Sequence, residues 1–161
     1  MNIEKAYIQS PVGIIEISGS DAGIRSILFM DNDCELNQIP DCLTECAGQL
    51  SEYFAGKRKQ FNLKMDPMGT GFQLKVWEQL QVIPFGKTIS YLDLARMTGN
   101  LNNTRAVGNA NGKNKLNIII PCHRVIGING KLTGYGGGLW RKEFLLKFEM
   151  GNAISGLFAG L

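Results

Sequence analysis

One octet in the second half of the chain constrains its fold most. Residues 118–125 read Ile-Ile-Ile-Pro-Cys-His-Arg-Val, which places Cys122 beside His123, the only histidine. The β-branched run predicts a buried strand, and Pro121, which has no N–H, ends its pairing. We therefore expect Cys122 at a strand end, where the imidazole and the cationic Arg124 lower the pKa of its thiol. An unreactive buried thiol beside a core histidine is the alternative interpretation.

The composition predicts a globular chain of one ordinary domain or two small ones. Its 161 residues are 44% hydrophobic, which is enough to fill a core. No apolar stretch approaches the roughly 18 residues that would span a bilayer, and the first residues lack the charged and apolar regions of a leader. The four cysteines do not form close pairs of the kind that cross-link small secreted domains, which indicates free thiols in a reducing compartment. We expect a cytoplasmic protein that makes no membrane contact.

The charges divide the chain near residue 69. The net charge is −4 over residues 1–69 and +7 over residues 70–161. The positive half favours a polyanionic partner, and nucleic acid over a membrane, because the basic residues do not follow one long amphipathic helix. A solvated basic surface without a partner is the alternative.

Residues 1–69 have the patterns of a small α/β domain. The runs that start at Ile14 and Ile24 predict two strands joined by a hairpin at residues 20–23, and Gly56 ends a predicted helix. Residues 66–70 predict a linker. An alternative for this half makes Cys34, Cys42 and Cys46 zinc ligands, although a fourth ligand is missing. The apolar positions of the helix are Leu43, Cys46, Ala47, Leu50, Tyr53 and Phe54.

The first part of the second half predicts short helices. Thr70 and Gln73 match a capping box at the start of an apolar helix that ends before Pro84. Ser90 caps a second helix, which ends at Gly99. Asn103 or Thr104 caps a third helix, which runs from Arg105. Two short helices joined by a turn predict a helix-turn-helix, whose second helix lies in a DNA groove.

The third predicted helix combines small residues with one long cation. Ala106, Gly108 and Ala110 allow the backbone of a partner to approach closely, and Arg105 supplies the positive charge. Contact with DNA and tight packing against protein both fit this pattern.

A glycine-rich loop, residues 134–138, precedes the last predicted helix. Its glycines allow backbone N–H groups to approach a flat ligand, and a plain connector is the alternative. We expect Glu149 to end the helix and to lie near His123, where a carboxylate holds an imidazole in one tautomer.

Together these residues resemble the methylated-DNA–protein-cysteine methyltransferases, also called O6-alkylguanine-DNA alkyltransferases. The resemblance runs from Phe72 to Glu149, and its motifs stand in family order and at family spacing. They are Ile83-Pro-Phe-Gly86, Ser90-Tyr91, Arg105-Ala-Val-Gly108, Asn114, Ile120-Pro-Cys-His-Arg-Val125, Gly134-Tyr-Gly-Gly-Gly138 and Glu149. Asn117 stands where the family commonly has proline, and Gly136 where it often has serine.

The resemblance implies an α/β (α+β) fold in two domains. A small α/β scaffold would occupy residues 1–69, and a mostly helical domain with a helix-turn-helix, which binds DNA and transfers the alkyl group, would occupy residues 70–150. Residues 151–161 form a tail to which we assign no role.

The resemblance also implies roles for the residues that would carry the chemistry. Cys122 would attack the alkyl carbon on O6 of a damaged guanine and keep the group as a thioether. His123 would act through a water as base, Glu149 would orient His123, and Asn114 would brace the segment that carries the cysteine. Tyr91 would donate a proton or a hydrogen bond to the leaving base.

Base recognition and DNA contact are implied in the same way. Val125 and Gly136 would read the base through backbone groups, and Tyr135 would help close the pocket. Arg105 would enter the base stack in place of the flipped nucleotide. The DNA surface that we expect from the small residues of this helix and from the resemblance consists of Ser90, Arg105, Ala106, Gly108 and Ala110.

The sequence thus predicts DNA repair by irreversible, single-turnover transfer from O6 of alkylated guanine, with O4 of alkylated thymine as a further candidate substrate. We expect a monomer that binds double-stranded DNA through the minor groove and needs no cofactor or metal, since neither a phosphate-binding loop nor a dinucleotide fingerprint occurs. A helix-turn-helix regulator without enzymatic activity is the first alternative. A thiol hydrolase that uses Cys122 and His123 is the second, although papain-like enzymes draw that pair from distant positions.

Overall fold

The computed structural model describes the backbone of residues 2–158 and the side chains of residues 2–152. The chain forms two compact units. The first comprises Met1–Met68 and Lys115–Ile119, and the second comprises Gly69–Asn114 and Ile120–Leu161. No helix among the described residues is long and apolar enough to cross a bilayer.

The first unit is an antiparallel sheet covered by one helix. Strands β1 (Glu4–Ile8), β2 (Ile14–Ser20) and β3 (Gly23–Met30) pair in that order. Helix α1 (Asp41–Phe54) places its apolar face in the core. The two predicted strands, their hairpin and the helix are confirmed, whereas β1 was not predicted.

Residues 115–119 belong to the first unit, which differs from the domain boundaries expected from the sequence. The amide N–H of Ile27 donates to the carbonyl oxygen of Lys115 at 2.8 Å. The Nδ2 atom of Asn117 donates in turn to the carbonyl oxygen of Ile27, also at 2.8 Å. These bonds hold the segment beside β3, although its sequence neighbours on both sides belong to the second unit.

The predicted strand over residues 118–120 is wrong. Ile118 has a φ of 75°, and the amide of Ile119 donates to the carbonyl oxygen of Asn117 at 2.9 Å. This is a γ-turn with positive φ, a conformation that is rare for a β-branched residue. Ile118 is nevertheless 1% exposed, so burial of its side chain accompanies the strained backbone.

The second unit is mostly helical. Its elements are α2 (Gly71–Leu80), β4 (Ile89–Ser90), α3 (Tyr91–Met97), α4 (Thr104–Gly112), β5 (Val125–Ile126) and α5 (Leu139–Phe158). Strands β4 and β5 pair in parallel. A 3₁₀ turn at Leu101–Asn103 connects α3 to α4, which gives the expected pair of short helices.

Helix ends in this unit follow local sequence signals in most cases. Thr70 forms the predicted capping box with Gln73. Ser90 is the predicted cap of α3, and it forms a complete capping box with Asp93 as well. Asn103 stands at the N-cap of α4, but neither its side chain nor another makes a cap hydrogen bond there.

Helix α5 does not end at Glu149, which corrects that prediction. It continues to Phe158 and so includes most of the segment predicted to be a tail; residues 159–161 lie outside the described residues.

Candidate active site

The backbone around Cys122 turns tightly. Pro121 has φ −81° and ψ 63°, and the Cys122 amide donates to the carbonyl oxygen of Ile120 at 2.8 Å, which is an inverse γ-turn. A 3₁₀ turn, Cys122–Arg124, follows directly and leads into β5. Cys122 therefore begins a turn rather than ending a strand, and its side chain is buried.

Two asparagines hold the carbonyl groups on either side of Pro121. The Nδ2 atom of Asn114 donates to the carbonyl oxygen of Ile120 at 2.9 Å, and Nδ2 of Asn111 donates to that of Cys122 at 3.3 Å. Both asparagines are buried. The sequence analysis singled out Asn114 but missed Asn111, which lies on the predicted DNA-binding helix and gave no separate signal.

Glu149 is the centre of a buried polar cluster. Its Oε2 atom lies 2.7 Å from Nε2 of His123, and its Oε1 atom accepts from Nε of Arg124 at 2.8 Å. Arg124 also donates from Nη1 to the carbonyl oxygen of Ile83 at 2.6 Å and from Nη2 to Glu149 at 3.0 Å. Arg124 therefore pairs with Glu149. This corrects the expectation that it serves as the cation for the Cys122 thiol.

Burial and pairing act in opposite directions on these ionisable groups. Burial raises the pKa of Glu149, but the neighbouring His123 and Arg124 outweigh it and hold that pKa well below the usual range. Burial lowers the pKa of His123, against the opposing effect of Glu149. The pair therefore consists of an ionised carboxylate and an imidazole that stays neutral at physiological pH.

The pairing fixes the tautomer of His123. An ionised carboxylate only accepts hydrogen bonds, so Nε2 carries the imidazole hydrogen and Nδ1 carries the lone pair. The Nδ1 atom is buried and has no hydrogen-bond partner among the described residues. Next to Cys122 in the chain, the protein thus holds a nitrogen that can take up a proton.

The thiol of Cys122 has both unfavourable and favourable surroundings. Burial outweighs a hydrogen bond from the Asn114 side chain and the positive charge of Lys142, so the pKa of the thiol lies above its ordinary value. This corrects the expectation that neighbouring groups lower the pKa of Cys122. Lys142 is a residue that the sequence analysis missed. Its position within an apolar helix gave no signal that the side chain points inward.

An open pocket of about 500 Å³ lies in the same unit. Of the residues expected to contact the base, Tyr91, Tyr135 and Gly136 line it, whereas Val125 is buried in β5. Burial, with the nearby Cys122 and Glu149, raises the pKa of Tyr135 well above its ordinary value. The remaining lining residues are Thr104, Gly108, Gly112, Thr133 and Gly134.

Helix α4 presents only part of the predicted DNA surface to solvent. Arg105 and Ala106 are exposed, and Gly108 lies against the ring of Tyr91, whose Cδ1 atom would be 3.7 Å from a Cβ at this glycine. Ala110 is 3% exposed and lies where its carbonyl oxygen accepts from Nε1 of Trp77 at 2.8 Å. Its side chain faces the core and is not available for the predicted DNA contact. The hydroxyl of Ser90 accepts from the amide of Asp93 as the cap of α3.

The positive surface of the second half is smaller than its sequence suggests. Three of its cations are buried and contribute little to the charge of the surface, although they count towards the net charge of +7. They are Arg124, Arg141 and Lys142. The described residues contain no group of three or more histidine, cysteine, aspartate or glutamate side chains that could hold a metal ion.

Comparison with known proteins matches both halves of the chain. Residues 3–67 match the family model of the 6-O-methylguanine DNA methyltransferase ribonuclease-like domain, and residues 71–151 match that of its DNA binding domain.

Similar proteins occur in archaea and bacteria. A methylated-DNA–protein-cysteine methyltransferase of Methanosarcina acetivorans is 46% identical over 151 residues, covering 89% of this chain and 96% of the relative. One from Mycolicibacterium paratuberculosis is 42% identical over 152 residues, covering 91% and 92%.

Solved structures agree with these relatives. The O6-methylguanine methyltransferase of Mycobacterium tuberculosis superposes with a TM-score of 0.85 at 39% identity, covering 94% of each chain. A structure described as the OGT of that organism in complex with DNA gives 0.82 at 41% identity, covering 91% and 92%. The chain described above, with its buried cysteine, histidine and glutamate, therefore belongs to the family of methylated-DNA–protein-cysteine methyltransferases.

Proposed function

We propose that this protein repairs DNA by moving the alkyl group from O6 of an alkylated guanine to the sulfur of Cys122. The observation that carries the proposal is the buried His123–Glu149 pair, which leaves an imidazole nitrogen available as a base in the residue next to Cys122. Family membership supports the same reaction. The DNA complex of the mycobacterial relative supports DNA as the partner.

The first chemical task is to activate the thiol. His123 accepts the proton of Cys122 through a water molecule, and Glu149 stabilises the imidazolium that forms. The thiolate sulfur then attacks the alkyl carbon, so an S–C bond forms while the bond between that carbon and O6 breaks. Asn114 and Asn111 hold the two carbonyl groups that fix this turn during the attack.

The second task is to stabilise the leaving base, which takes the electron pair of the broken bond. Tyr91 lines the pocket, and its hydroxyl oxygen accepts from Oγ1 of Thr133 at 3.3 Å. With that oxygen already accepting, the Tyr91 hydrogen is free to point towards the base, to which it donates as charge develops. Val125 and Gly136 bind the base through backbone groups, and Tyr135 closes the pocket.

The third task is to bring a stacked base to the sulfur. The alkylated base must leave the duplex, at a cost of about a few kcal/mol that weak pairing reduces. Arg105, exposed on α4, fills the gap in the stack from the minor groove, and Ala106 lies beside the DNA backbone. The protein acts as a monomer in the cytoplasm, and O4 of alkylated thymine is a second substrate of the same pocket.

The product is a thioether that no group in the site can cleave, so each molecule reacts once. The test is to incubate the protein with a tenfold excess of duplex carrying one O6-methylguanine and to count repaired bases per protein. We expect a plateau at one. Continued release of product would indicate a hydrolase, and DNA binding without repair would indicate a regulator.

A further inference from the structure

Lys142 is a fully buried cation of the second unit. It lies on α5 and is 0% exposed, although lysine is almost never fully buried without a partner. Its Nζ atom donates to the carbonyl oxygen of Thr133 at 3.0 Å. Among the described residues no carboxylate lies within ion-pair distance of it. The charge therefore needs an explanation other than a salt bridge.

The surroundings of Lys142 consist of groups that the reaction uses. Its Nζ atom lies 5.8 Å from the centre of the Tyr91 ring, within the range of a cation–π contact. Thr133, whose carbonyl group it holds, donates from its own hydroxyl to the Tyr91 hydroxyl. The lysine thus lies within cation–π range of the Tyr91 ring and is linked to its hydroxyl through Thr133.

We propose that Lys142 is a positioning residue for alkyl transfer, which fixes Tyr91 and the Thr133 loop and supplies the positive charge that stabilises the Cys122 thiolate. The proposal rests on the proposed function only for the part played by Tyr91.

The electrostatics of the neighbours agree with this placement. The titratable groups that interact with the ammonium are Cys122 and His123 from the 3₁₀ turn, with Tyr91 facing it from α3. Burial lowers the pKa of Lys142 and the Cys122 thiolate opposes that effect, while Lys142 acts to lower the pKa of Cys122. Arg124 is paired with Glu149, whereas the positive charge of Lys142 acts on the sulfur.

The first experiment measures the thiol without any DNA. Cys122 is alkylated with iodoacetamide over a range of pH, and its modification is followed by peptide mass mapping in wild type, Lys142→Met and Lys147→Met. Lys147 lies on the same helix with a side chain that is 77% exposed, which makes it the matched control. In Lys142→Met we expect the pH midpoint of Cys122 alkylation to rise by about one unit. The rate of alkylation at a fixed pH should fall about tenfold.

The second experiment separates binding from chemistry. Single-turnover methyl transfer from a duplex carrying O6-methylguanine should be at least about tenfold slower in Lys142→Met once complex has formed. The affinity for the same duplex should stay within about twofold, since the buried lysine touches no phosphate. Thermal melting should show Lys142→Met to be at least as stable as wild type, because replacing a buried charge with an apolar side chain is often neutral or stabilising.

The third experiment uses the unmutated protein and so does not depend on the folding of a variant. At the alkaline pH where Lys142 titrates, the free Cys122 thiol can ionise and so favour the lysine ammonium, whereas the thioether formed by alkylation cannot ionise. In lysine labelled with ¹³C at Cε, the Lys142 signal should titrate at a lower pH after alkylation, while the Lys147 signal should not move.

The outcomes separate this proposal from the proposed function. If wild type fails to take up methyl groups, the function is wrong, whereas the iodoacetamide and lysine titrations still test Lys142. Two results would overturn the role of Lys142. One is an unchanged pH midpoint of Cys122 alkylation in a folded Lys142→Met variant, and the other is an unchanged titration of Lys142 after alkylation.

Discussion

The Nε2 atom of His123 lies 2.7 Å from Oε2 of Glu149, and both side chains are buried. The same carboxylate receives two donors from Arg124. Glu149 is thereby shared between His123, the proposed base, and Arg124, whose buried charge it neutralises. The proposed reactivity and the stability of the second unit therefore both depend on this side chain.

Glu149→Gln should destabilise the protein markedly. The change leaves Arg124 buried without its anion, which typically costs about 3 to 5 kcal/mol of unfolding free energy. At about 2 to 4 °C for each kcal/mol, the melting temperature should fall by about 6 to 20 °C. Glu143→Gln is the control, since Glu143 is an exposed residue of the same helix paired with Lys147. A melting temperature for Glu149→Gln equal to that of Glu143→Gln would refute the central position of Glu149.

Acid should destabilise the protein in two steps with the same sign. The pKa of His123 is lower in the folded protein than in the unfolded chain. As the pH falls, the imidazole therefore takes up a proton in the unfolded chain first, and stability decreases below about pH 6.5. The pKa of Glu149 is lowered too, so a further loss begins near the ordinary carboxyl pKa of about 4.3 and continues towards lower pH. Urea unfolding between pH 8 and pH 3 measures both steps. In His123→Gln the upper step should be absent, and its persistence would assign the step to another group.

Arg105→Ala should impair repair of duplex DNA far more than reaction with a free O6-alkylguanine base. The arginine is exposed on α4, and its proposed task, opening the stack, does not arise with a free base. Single-turnover rates on the two substrates give the comparison, with the exposed Lys113 at the end of the same helix changed to alanine as control. Equal losses on both substrates would show that Arg105 serves the pocket or the fold.

Tyr91→Phe should slow transfer about a hundredfold or more on both substrates, which is the usual loss when a proton donor is removed. The phenylalanine keeps the ring that faces Lys142 and loses only the hydroxyl that accepts from Thr133. Tyr7→Phe is the matched control, because the Tyr7 hydroxyl bonds Glu16 in the first unit. A loss confined to duplex DNA would mean that Tyr91 acts on the DNA and not on the leaving group.

Local signals in the sequence predicted much of the fold. The capping boxes at Thr70 and Ser90 involve residues three apart, so their geometry follows from the helix itself. The run Ile118–Ile120 misled because apolar, β-branched residues fit any buried extended segment, whereas the φ of Ile118 and the hydrogen bond from the Ile119 amide to Asn117 show a turn. Periodicity alone cannot identify such a turn.

The residues of the candidate site also divide into those that the sequence predicted and those that it did not. The contact between His123 and Glu149 was predicted, and it is confirmed. The roles of Cys122, His123 and Glu149 in the reaction stay predictions. Arg124 was assigned the wrong partner, since its distance to Glu149 depends on how α5 packs. Lys142 was missed because lysine is ordinarily a surface residue, and its burial is set by the tertiary contacts of Thr133 and Tyr91.

The transfer of one alkyl group to Cys122 is tested most directly by mass. The protein is incubated with excess duplex carrying O6-methylguanine, and intact mass is followed by peptide mapping of all four cysteines, with unmethylated duplex and Cys122→Ala as controls. We expect a gain of one methyl group, located on Cys122, and no gain in either control. Methyl groups on Cys34, Cys42 or Cys46, or an unchanged mass after the lesion has been repaired, would contradict the assignment of Cys122 as the acceptor.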